Sequence, residues 1–163
     1  MYEEKDGQVV EKYAFQWTRC DVVDVEQIPF FHVHPDSRFL QLGGFNCNAR
    51  CAYCINANVA IRPKEVFTNR LLPAQIVDRA LDLGCIGIHF GINEVTVNLP
   101  SALAVAREAR QRGLLVGCST NGYFTPEAAA MMAETMDLFN ISLKSMSDRF
   151  LQEHTGLRSA AVV

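Results

Sequence analysis

Three cysteines share one short run of the chain, Cys47, Cys51 and Cys54, at a Cys-x3-Cys-x2-Cys spacing. Three thiolates this close together can bind three irons of a [4Fe–4S] cluster, because such clusters are held by cysteine sulfur. The fourth iron then receives no cysteine from this loop and is open to another ligand. The spacing therefore predicts an iron–sulfur site whose chemistry begins at the open iron.

A structural zinc site is the main alternative interpretation of these residues. Zinc usually takes four protein ligands, often from paired Cys-x2-Cys units. Only Cys51 and Cys54 form such a pair and no second pair follows, although His32 and His34 upstream could complete a site. A disulfide is disfavoured, because no secretory n-region with an apolar h-region is recognisable. We therefore expect reduced thiols and a cytoplasmic protein.

The composition predicts one domain and disfavours several classes of partner. The chain has 163 residues, 49% of them apolar, and a net charge of −3 without a basic block. Such a chain is long enough to bury a hydrophobic core. We expect no binding to nucleic acid or to an anionic membrane, and no stretch reaches the apolar length of a membrane span.

Strand-like and helix-like segments alternate along most of the chain. Strands are predicted at residues 39–42, 85–90, 114–118 and 137–143. Helices are predicted at residues 73–83, 100–112, from Pro126 after a Thr125 cap, and from Ser147 to near Gly156. This order predicts an α/β fold with a parallel sheet and right-handed crossovers. Residues 1–36 are expected to form an N-terminal extension laid against a domain that spans 37–163.

The polar residues of interest follow the predicted strands. Parallel sheets place ligand sites in the loops at the C-terminal ends of their strands. The cysteine loop follows the first strand, Asn93 and Glu94 the second, residues 119–122 the third, and Lys144 the fourth. We therefore expect four loops to converge on one site.

These loops carry motifs that resemble those of the radical S-adenosylmethionine (SAM) enzymes over residues 22–156. The closest likeness is to the branch of the glycyl-radical (pyruvate formate-lyase) activating enzymes, and within it to the AmmeMemoRadiSam group. The motifs are Pro35-Asp36-Ser37-Arg38, the cysteine loop from Gly44 to Asn56, Asn93-Glu94-Val95-Thr96, Thr120-Asn121-Gly122-Tyr123, Ser142-Leu143-Lys144 and Thr155-Gly156. The resemblance implies a partial TIM-like (βα) barrel.

The resemblance also implies two cofactors and the residues that bind them. Cys47, Cys51 and Cys54 would bind the [4Fe–4S] cluster, and SAM would chelate the open iron. The other implied SAM-site residues are Tyr53 beside the adenine, Asn93 and Glu94 at the ammonium, Asn121 and Lys144 at the ribose or carboxylate end, and Thr120 and Ser142 within the same motifs.

The implied reaction is the reductive cleavage of SAM to methionine and a 5′-deoxyadenosyl radical, which abstracts hydrogen from a substrate. A flavodoxin- or ferredoxin-like protein would donate the electron. The implied substrates are a glycine on a partner glycyl-radical enzyme, a small molecule or a peptide. The cofactor carries the difficult step, and the protein supplies orientation and exclusion of water.

Two substitutions and the length of the chain depart from the family pattern. Val95 replaces the usual proline, which predicts a looser turn at Glu94, and Ser142 replaces the usual aspartate. About four of the usual six βα units are present, and residues 160–163 are expected to begin a fifth strand. A fragment of a longer protein, a short form completed by a partner chain or by dimerisation, and a damaged gene product all stay open, as does a cluster-binding module without catalysis.

Each polar residue also has a simpler structural interpretation. Asn93 and Asn121 suit turns, Glu94 could be a solvated loop charge, and Lys144 could face solvent. His89 is expected to be a satisfied core histidine. The remaining expected core residues are Cys85, Cys118, Met131, Met132 and Met136.

Overall fold

The computed structural model describes residues 1–61 and 68–158. Within these residues the strands are β1 (Tyr2–Lys5), β2 (Gln8–Glu11), β3 (Gln16–Trp17), β4 (Arg19–Asp24), β5 (Arg38–Gly43), β6 (Asn69–Arg70), β7 (Gly87–Gly91), β8 (Leu115–Thr120) and β9 (Leu138–Ile141). The helices are α1 (Ala57–Ala60), α2 (Pro73–Asp82), α3 (Leu99–Gln111), α4 (Pro126–Thr135) and α5 (Asp148–Thr155). Two short 3-10 helices cover Val25–Gln27 and Val95–Asn98. The expected fifth strand at 160–163 lies outside the described residues.

The main sheet has five strands in the order β4-β5-β7-β8-β9. β5, β7, β8 and β9 are parallel and lie side by side in chain order, with helices between them. This arrangement confirms the predicted α/β class and the partial TIM-like barrel. The four strands and four helices predicted within the described residues are all present, with ends shifted by no more than two residues.

One edge of the sheet differs from the all-parallel expectation. β4 pairs with β5 in antiparallel register, from Arg19 opposite Gly43 to Asp24 opposite Arg38. An antiparallel neighbour needs no helical crossover, so the short connection through residues 25–37 suffices. The proposed extension, residues 1–36, therefore contributes a strand to the sheet, and the division at residue 36 stays a prediction.

The two faces of the sheet bury different sets of residues. Leu40, Leu42, Ile88 and Val116 alternate along the strands and pack with apolar side chains of α2, α3 and α4. Phe39 on the opposite face packs with a smaller cluster from residues 23–30. The predicted core residues Cys85, Cys118, Met132 and Met136 are buried, but Met131 is 44% exposed, because it lies on the outer side of α4.

The first residues form a hairpin that the sequence analysis did not predict. Asp6 and Gly7 connect β1 and β2 with positive φ angles of 53° and 78°, a conformation that Asp-Gly favours in two-residue hairpins. The carboxylate of Glu11, at the end of β2, accepts hydrogen bonds from the Ser101 amide and hydroxyl at 3.0 and 2.8 Å. The hairpin therefore satisfies free donors in the first turn of α3. Among the described residues, no helix is long and apolar enough to cross a bilayer.

Candidate functional site

A cavity of about 300 Å³ opens at the C-terminal ends of the parallel strands. All the residues that the sequence analysis assigned to the cofactors line it: Cys47, Cys51, Tyr53, Cys54, Asn93, Glu94, Thr120, Asn121, Ser142 and Lys144. They come from the cysteine loop and from the loops after β7, β8 and β9. The structure thus brings these side chains together, and their individual roles stay predictions.

The three cysteines of the loop are half-buried free thiols at the cavity wall. Burial raises the pKa of Cys47 and of Cys51, and the nearby Lys144 ammonium opposes this rise at Cys51. The Ala49 amide lies 3.4 Å from the Cys47 sulfur, and the Asn121 side-chain nitrogen lies 3.8 Å from it. Both groups can donate to a thiolate, and such bonds tune the potential of iron–sulfur clusters.

The cysteine loop is joined to the loop after β7 by two asparagine side chains. The oxygen of Asn93 accepts a hydrogen bond from the Gly44 amide at 2.8 Å. Asn56 donates to the carbonyl of Ile92 at 3.0 Å. A Cβ at Gly44 would lie 2.8 Å from the Asn98 side-chain oxygen, so a larger residue here would have to displace the Asn98 amide.

The same loop is also joined to the loop after β8 and to α5. Asn48 accepts from the Asn121 side chain at 2.7 Å and donates to the Tyr123 carbonyl at 2.6 Å. The Arg50 amide donates to the carbonyl of Thr155 at 2.8 Å, and the Ala52 amide donates to that of His154, also at 2.8 Å. Helices leave their last carbonyls without partners, and here the cysteine loop supplies donors to those of α5.

Glu94 is a buried carboxylate surrounded by donors from the protein. It is 2% exposed, which overturns its interpretation as a solvated loop charge. One oxygen accepts from the Thr96 amide and hydroxyl at 3.3 and 3.0 Å. The other accepts from the Asn121 amide at 2.8 Å, and the Thr120 hydroxyl lies within 3.0 Å of both. A carboxylate offers about four acceptor positions. The Thr96, Thr120 and Asn121 donors occupy most of them, so few remain for a ligand.

Val95 is buried in the turn after Glu94, and the looser turn expected from the loss of proline stays a prediction. Its side chain is 3% exposed and belongs to the main core, and it begins the 3-10 helix Val95–Asn98. The buried side chain gives the turn a packing contact with the core, whereas a proline ring would restrict the backbone directly.

The two predicted site asparagines are more than turn residues. Besides accepting from Gly44, Asn93 donates to the Glu94 carbonyl at 3.1 Å and to the Asn98 side chain at 3.2 Å. Asn121 is 5% exposed and bridges the loop after β8 to Asn48. Lys144 is half-buried at the cavity, whereas Tyr53 is 50% exposed at its rim.

Ile92 occupies a backbone conformation that β-branched residues avoid. Its φ angle is 76°, and it lies in the cavity wall directly after β7. A residue held in this region stores on the order of 1–3 kcal/mol, and such residues cluster at functional sites. The hydrogen bond from Asn56 to its carbonyl helps to hold it there.

The donor set of the cavity suits an iron–sulfur cluster. Across residues 1–61 and 68–158, no three His, Cys, Asp or Glu side chains converge closely enough for a single metal ion. A [4Fe–4S] cluster does not need such convergence, because each iron takes its own thiolate. Three free thiols at the wall of one cavity, with amide donors beside Cys47, fit that requirement.

Comparison with protein families matches residues 43–162 to the radical SAM superfamily. The match begins at the end of β5 and includes every residue that lines the cavity. The chain therefore belongs to the radical SAM superfamily. The cofactors of that superfamily are a [4Fe–4S] cluster and SAM, which confirms the two cofactors predicted from the sequence.

Particular relatives share the sequence or the fold over part of their length. An uncharacterized protein of Methanocaldococcus jannaschii, MJ0808, is 30% identical over 125 residues, which make up 76% of this chain and 37% of that protein. The structure of Streptococcus suis SuiB bound to precursor peptide SuiA matches with a TM-score of 0.55 at 18% identity, and that of SuiB bound to SAM with a TM-score of 0.54 at 17% identity. Each comparison covers 74% of this chain and 28% of SuiB, so the likeness to SuiB is one of fold.

Sequence reasoning missed four polar residues that hold the site together. Asn48 and Asn56 stand within the recognised cysteine motif, and Thr96 stands within the motif after β7, but none received a role. Asn98 belongs to no recognised motif, and its hydrogen bond with Asn93 depends on the 3-10 helix that lies between them. Cysteine spacing, position after the predicted strands and motif resemblance identified the residues that face the cavity, whereas the residues behind them depend on the fold.

Proposed function

We propose that this chain forms the cofactor-binding part of a radical SAM enzyme, in which Cys47, Cys51 and Cys54 hold the [4Fe–4S] cluster. The observation that carries this proposal is the single cavity that collects the cysteine loop and three further strand-end loops. When bound, the reduced cluster would supply the one electron that cleaves SAM to methionine and a 5′-deoxyadenosyl radical.

The protein's own residues would orient SAM and exclude water. Lys144 brings a cation to the cavity, which suits the SAM carboxylate, since charge-assisted hydrogen bonds are the stronger kind. Tyr53 at the rim suits the flat face of the adenine. Asn93 and Glu94 are largely engaged with protein partners, so we assign them to holding the loops in place around SAM, with any contact to its ammonium coming from their remaining lone pairs.

The proposed substrate is a protein or peptide. SuiB, whose fold this chain shares, was solved with a precursor peptide. The motif likeness to the glycyl-radical activating enzymes also suggests a glycine in a partner protein. A small molecule, as the AmmeMemoRadiSam likeness allows, is the competing class. A peptide that copurifies with the protein, and whose hydrogen is recovered in 5′-deoxyadenosine, would favour the peptide over the small molecule.

Two protein partners belong to the proposal. A flavodoxin- or ferredoxin-like protein would bring the electron to the cluster. A second chain would complete the barrel beside β9, whose Phe139 and Ile141 are 39% and 59% exposed. Sedimentation should then show a dimer at micromolar concentration, and a monomer would count against completion by a second copy.

Anaerobic reconstitution tests the function directly. The protein is loaded with iron and sulfide, reduced with dithionite, and assayed for iron content and for 5′-deoxyadenosine after SAM is added. We expect about four irons per chain and formation of 5′-deoxyadenosine. Iron without SAM cleavage would indicate a cluster-binding module, and zinc alone would indicate a structural zinc domain.

The thiol variants need a matched control. Cys51→Ala should abolish the cluster and SAM cleavage together. Cys20→Ala removes a thiol that is also half-buried and free but lies on β4, outside the loop, and should keep both. Equal loss in the two variants would show that cysteine removal acts through folding.

A further inference from the structure

A row of four polar side chains crosses the sheet below the cavity. Gln41 on β5, His89 on β7, Ser119 on β8 and Asn140 on β9 follow one another across adjacent parallel strands. Gln41 and His89 are buried, at 8% and 1% exposure. Among these four residues only Ser119 lines the cavity.

Two glycines, Gly91 and Gly117, leave the space that the His89 ring and its neighbour Phe30 occupy. A Cβ at Gly91 would lie 2.6 Å from Cε1 of His89. A Cβ at Gly117, the residue paired with His89 on β8, would lie 2.6 Å from the Phe30 ring, which packs edge-on against His89 with centroids 5.5 Å apart. The ring is therefore confined between Phe30 and the sheet, with both nitrogens facing polar partners.

The partners fix the direction of each hydrogen bond in the row. Burial lowers the pKa of His89 to about 4, so the ring is neutral near pH 7 and carries one proton. The Gln41 amide nitrogen can only donate, and it lies 3.2 Å from Nδ1 of His89. Nε2 therefore carries the proton and donates to the Ser119 hydroxyl oxygen at 2.9 Å.

The Ser119 oxygen receives a second donor from the other side. The Asn140 side-chain nitrogen lies 3.2 Å from it. A hydroxyl has two acceptor positions and one proton, so both acceptor positions are filled. Among the described residues, the Ser119 proton has no acceptor, and the side chain lines the cavity.

We propose that this row holds Ser119 as a hydrogen-bond donor to an oxygen of bound SAM, with His89 acting as a positioning residue. The proposal rests on the proposed function and adds a specific contact to it. A hydroxyl whose acceptor positions are both occupied cannot turn to accept from the ligand. Ser119 therefore selects for an acceptor in the cavity, which the carboxylate and ribose oxygens of SAM both provide.

The tautomer of His89 tests the row without any cofactor. Two-bond ¹H–¹⁵N spectra of the apoprotein distinguish a proton on Nε2 from one on Nδ1, and His89→Gln identifies the signal. We expect the Nε2–H tautomer. A proton on Nδ1 would reverse the direction of the row and overturn the proposal, because Ser119 would then donate to His89.

Binding of SAM to the anaerobically reconstituted protein tests the contact. Ser119→Ala should weaken SAM binding about tenfold, the loss of one well-made hydrogen bond. His89→Leu should weaken it about threefold, and His89→Gln, whose amide can donate from the same side, should restore most of this loss. The double variant Ser119→Ala/His89→Leu should bind no more weakly than Ser119→Ala alone.

The two measurements separate the ways in which the proposal can fail. If the losses of SAM affinity in Ser119→Ala and His89→Leu multiply in the double variant, the two changes act independently through structural damage. If Ser119→Ala binds SAM as tightly as the wild type, Ser119 makes no contact with SAM. If wild-type protein with an intact cluster binds no SAM, the proposed function fails and the donor role fails with it. The tautomer measurement still shows in that case whether the row itself was assigned correctly.

Discussion

The hydroxyl of Thr120 lies 2.8 and 3.0 Å from the two carboxylate oxygens of Glu94. This contact joins the end of β8 to the loop after β7, two segments that flank the cavity. Both side chains are 2% exposed, so the carboxylate relies on protein donors in place of water. Hydrogen bonds to a buried charge are among the stronger ones in proteins.

Glu94→Gln should destabilise the apoprotein by about 2–3 kcal/mol, because an amide nitrogen would replace one of two acceptors that face only donors. Urea unfolding of the apoprotein measures this change. Glu134→Gln, on the exposed side of α4, provides the control and should change stability by less than about 0.5 kcal/mol. Equal, small effects in both variants would mean that the donors around Glu94 contribute little.

The stability of the fold should fall as pH drops from about 6.5 to about 4 because of His89. Burial lowers its folded pKa from 6.5 to about 4, so the unfolded chain binds more protons than the folded chain in this range. The stabilising term is complete above pH 6.5, is lost as pH approaches 4, and amounts to about 3 kcal/mol.

The variant His89→Gln isolates this term from the carboxylates that titrate in the same range. The wild type should lose more unfolding free energy than His89→Gln between pH 7 and pH 4.5, and His154→Gln, at an exposed position on α5, should behave as the wild type. Parallel pH curves for the wild type and His89→Gln would show that His89 titrates normally.

Asn48→Ala should shorten the lifetime of the reconstituted cluster several-fold. Its side chain joins the cysteine loop to Asn121 and to the Tyr123 carbonyl, and supporting contacts of metal ligands typically change affinity or activity by about 10–100-fold. Loss of the cluster's visible absorbance in the presence of a chelator measures the lifetime. Asn58→Ala changes an exposed asparagine of α1 and should leave the lifetime unaltered, whereas equal rates in the two variants would contradict the prediction.

Ile92→Gly should destabilise the apoprotein by about 1 kcal/mol or less, because relief of the positive φ angle offsets the lost packing. Val33→Gly removes another half-buried β-branched side chain, one at negative φ, and should cost about 2 kcal/mol or more. Thermal unfolding of both variants provides the comparison. If Ile92→Gly is the more damaging, the backbone at Ile92 is not strained.

Apolar runs and turn residues were sufficient to predict the parallel strands and the helices between them. Thr125 illustrates this success: its side chain accepts from the Ala128 amide at the start of α4, as the cap pattern indicated. β4 was missed as a sheet strand because its pairing with β5 depends on contacts between distant parts of the chain. The Asp6-Gly7 turn was a local hairpin signal that went unused.

The cavity was predictable as a set of residues but not as a network of bonds. Glu94 was expected to face SAM, yet its donors Thr96, Thr120 and Asn121 follow from how two strand ends approach each other. His89 was expected to be a satisfied core histidine, and it does bond Gln41 and Ser119. The direction of that row became visible only when all four side chains were placed.

The backbone hydrogen bonds from the cysteine loop to α5 can form only after α5 has been synthesised. Arg50 and Ala52 reach partners that follow about 100 residues later in the chain. Until those later residues have been synthesised and folded, the cysteine loop lacks these two backbone hydrogen bonds. We therefore expect the cysteine loop to reach its final conformation only after α5 has docked.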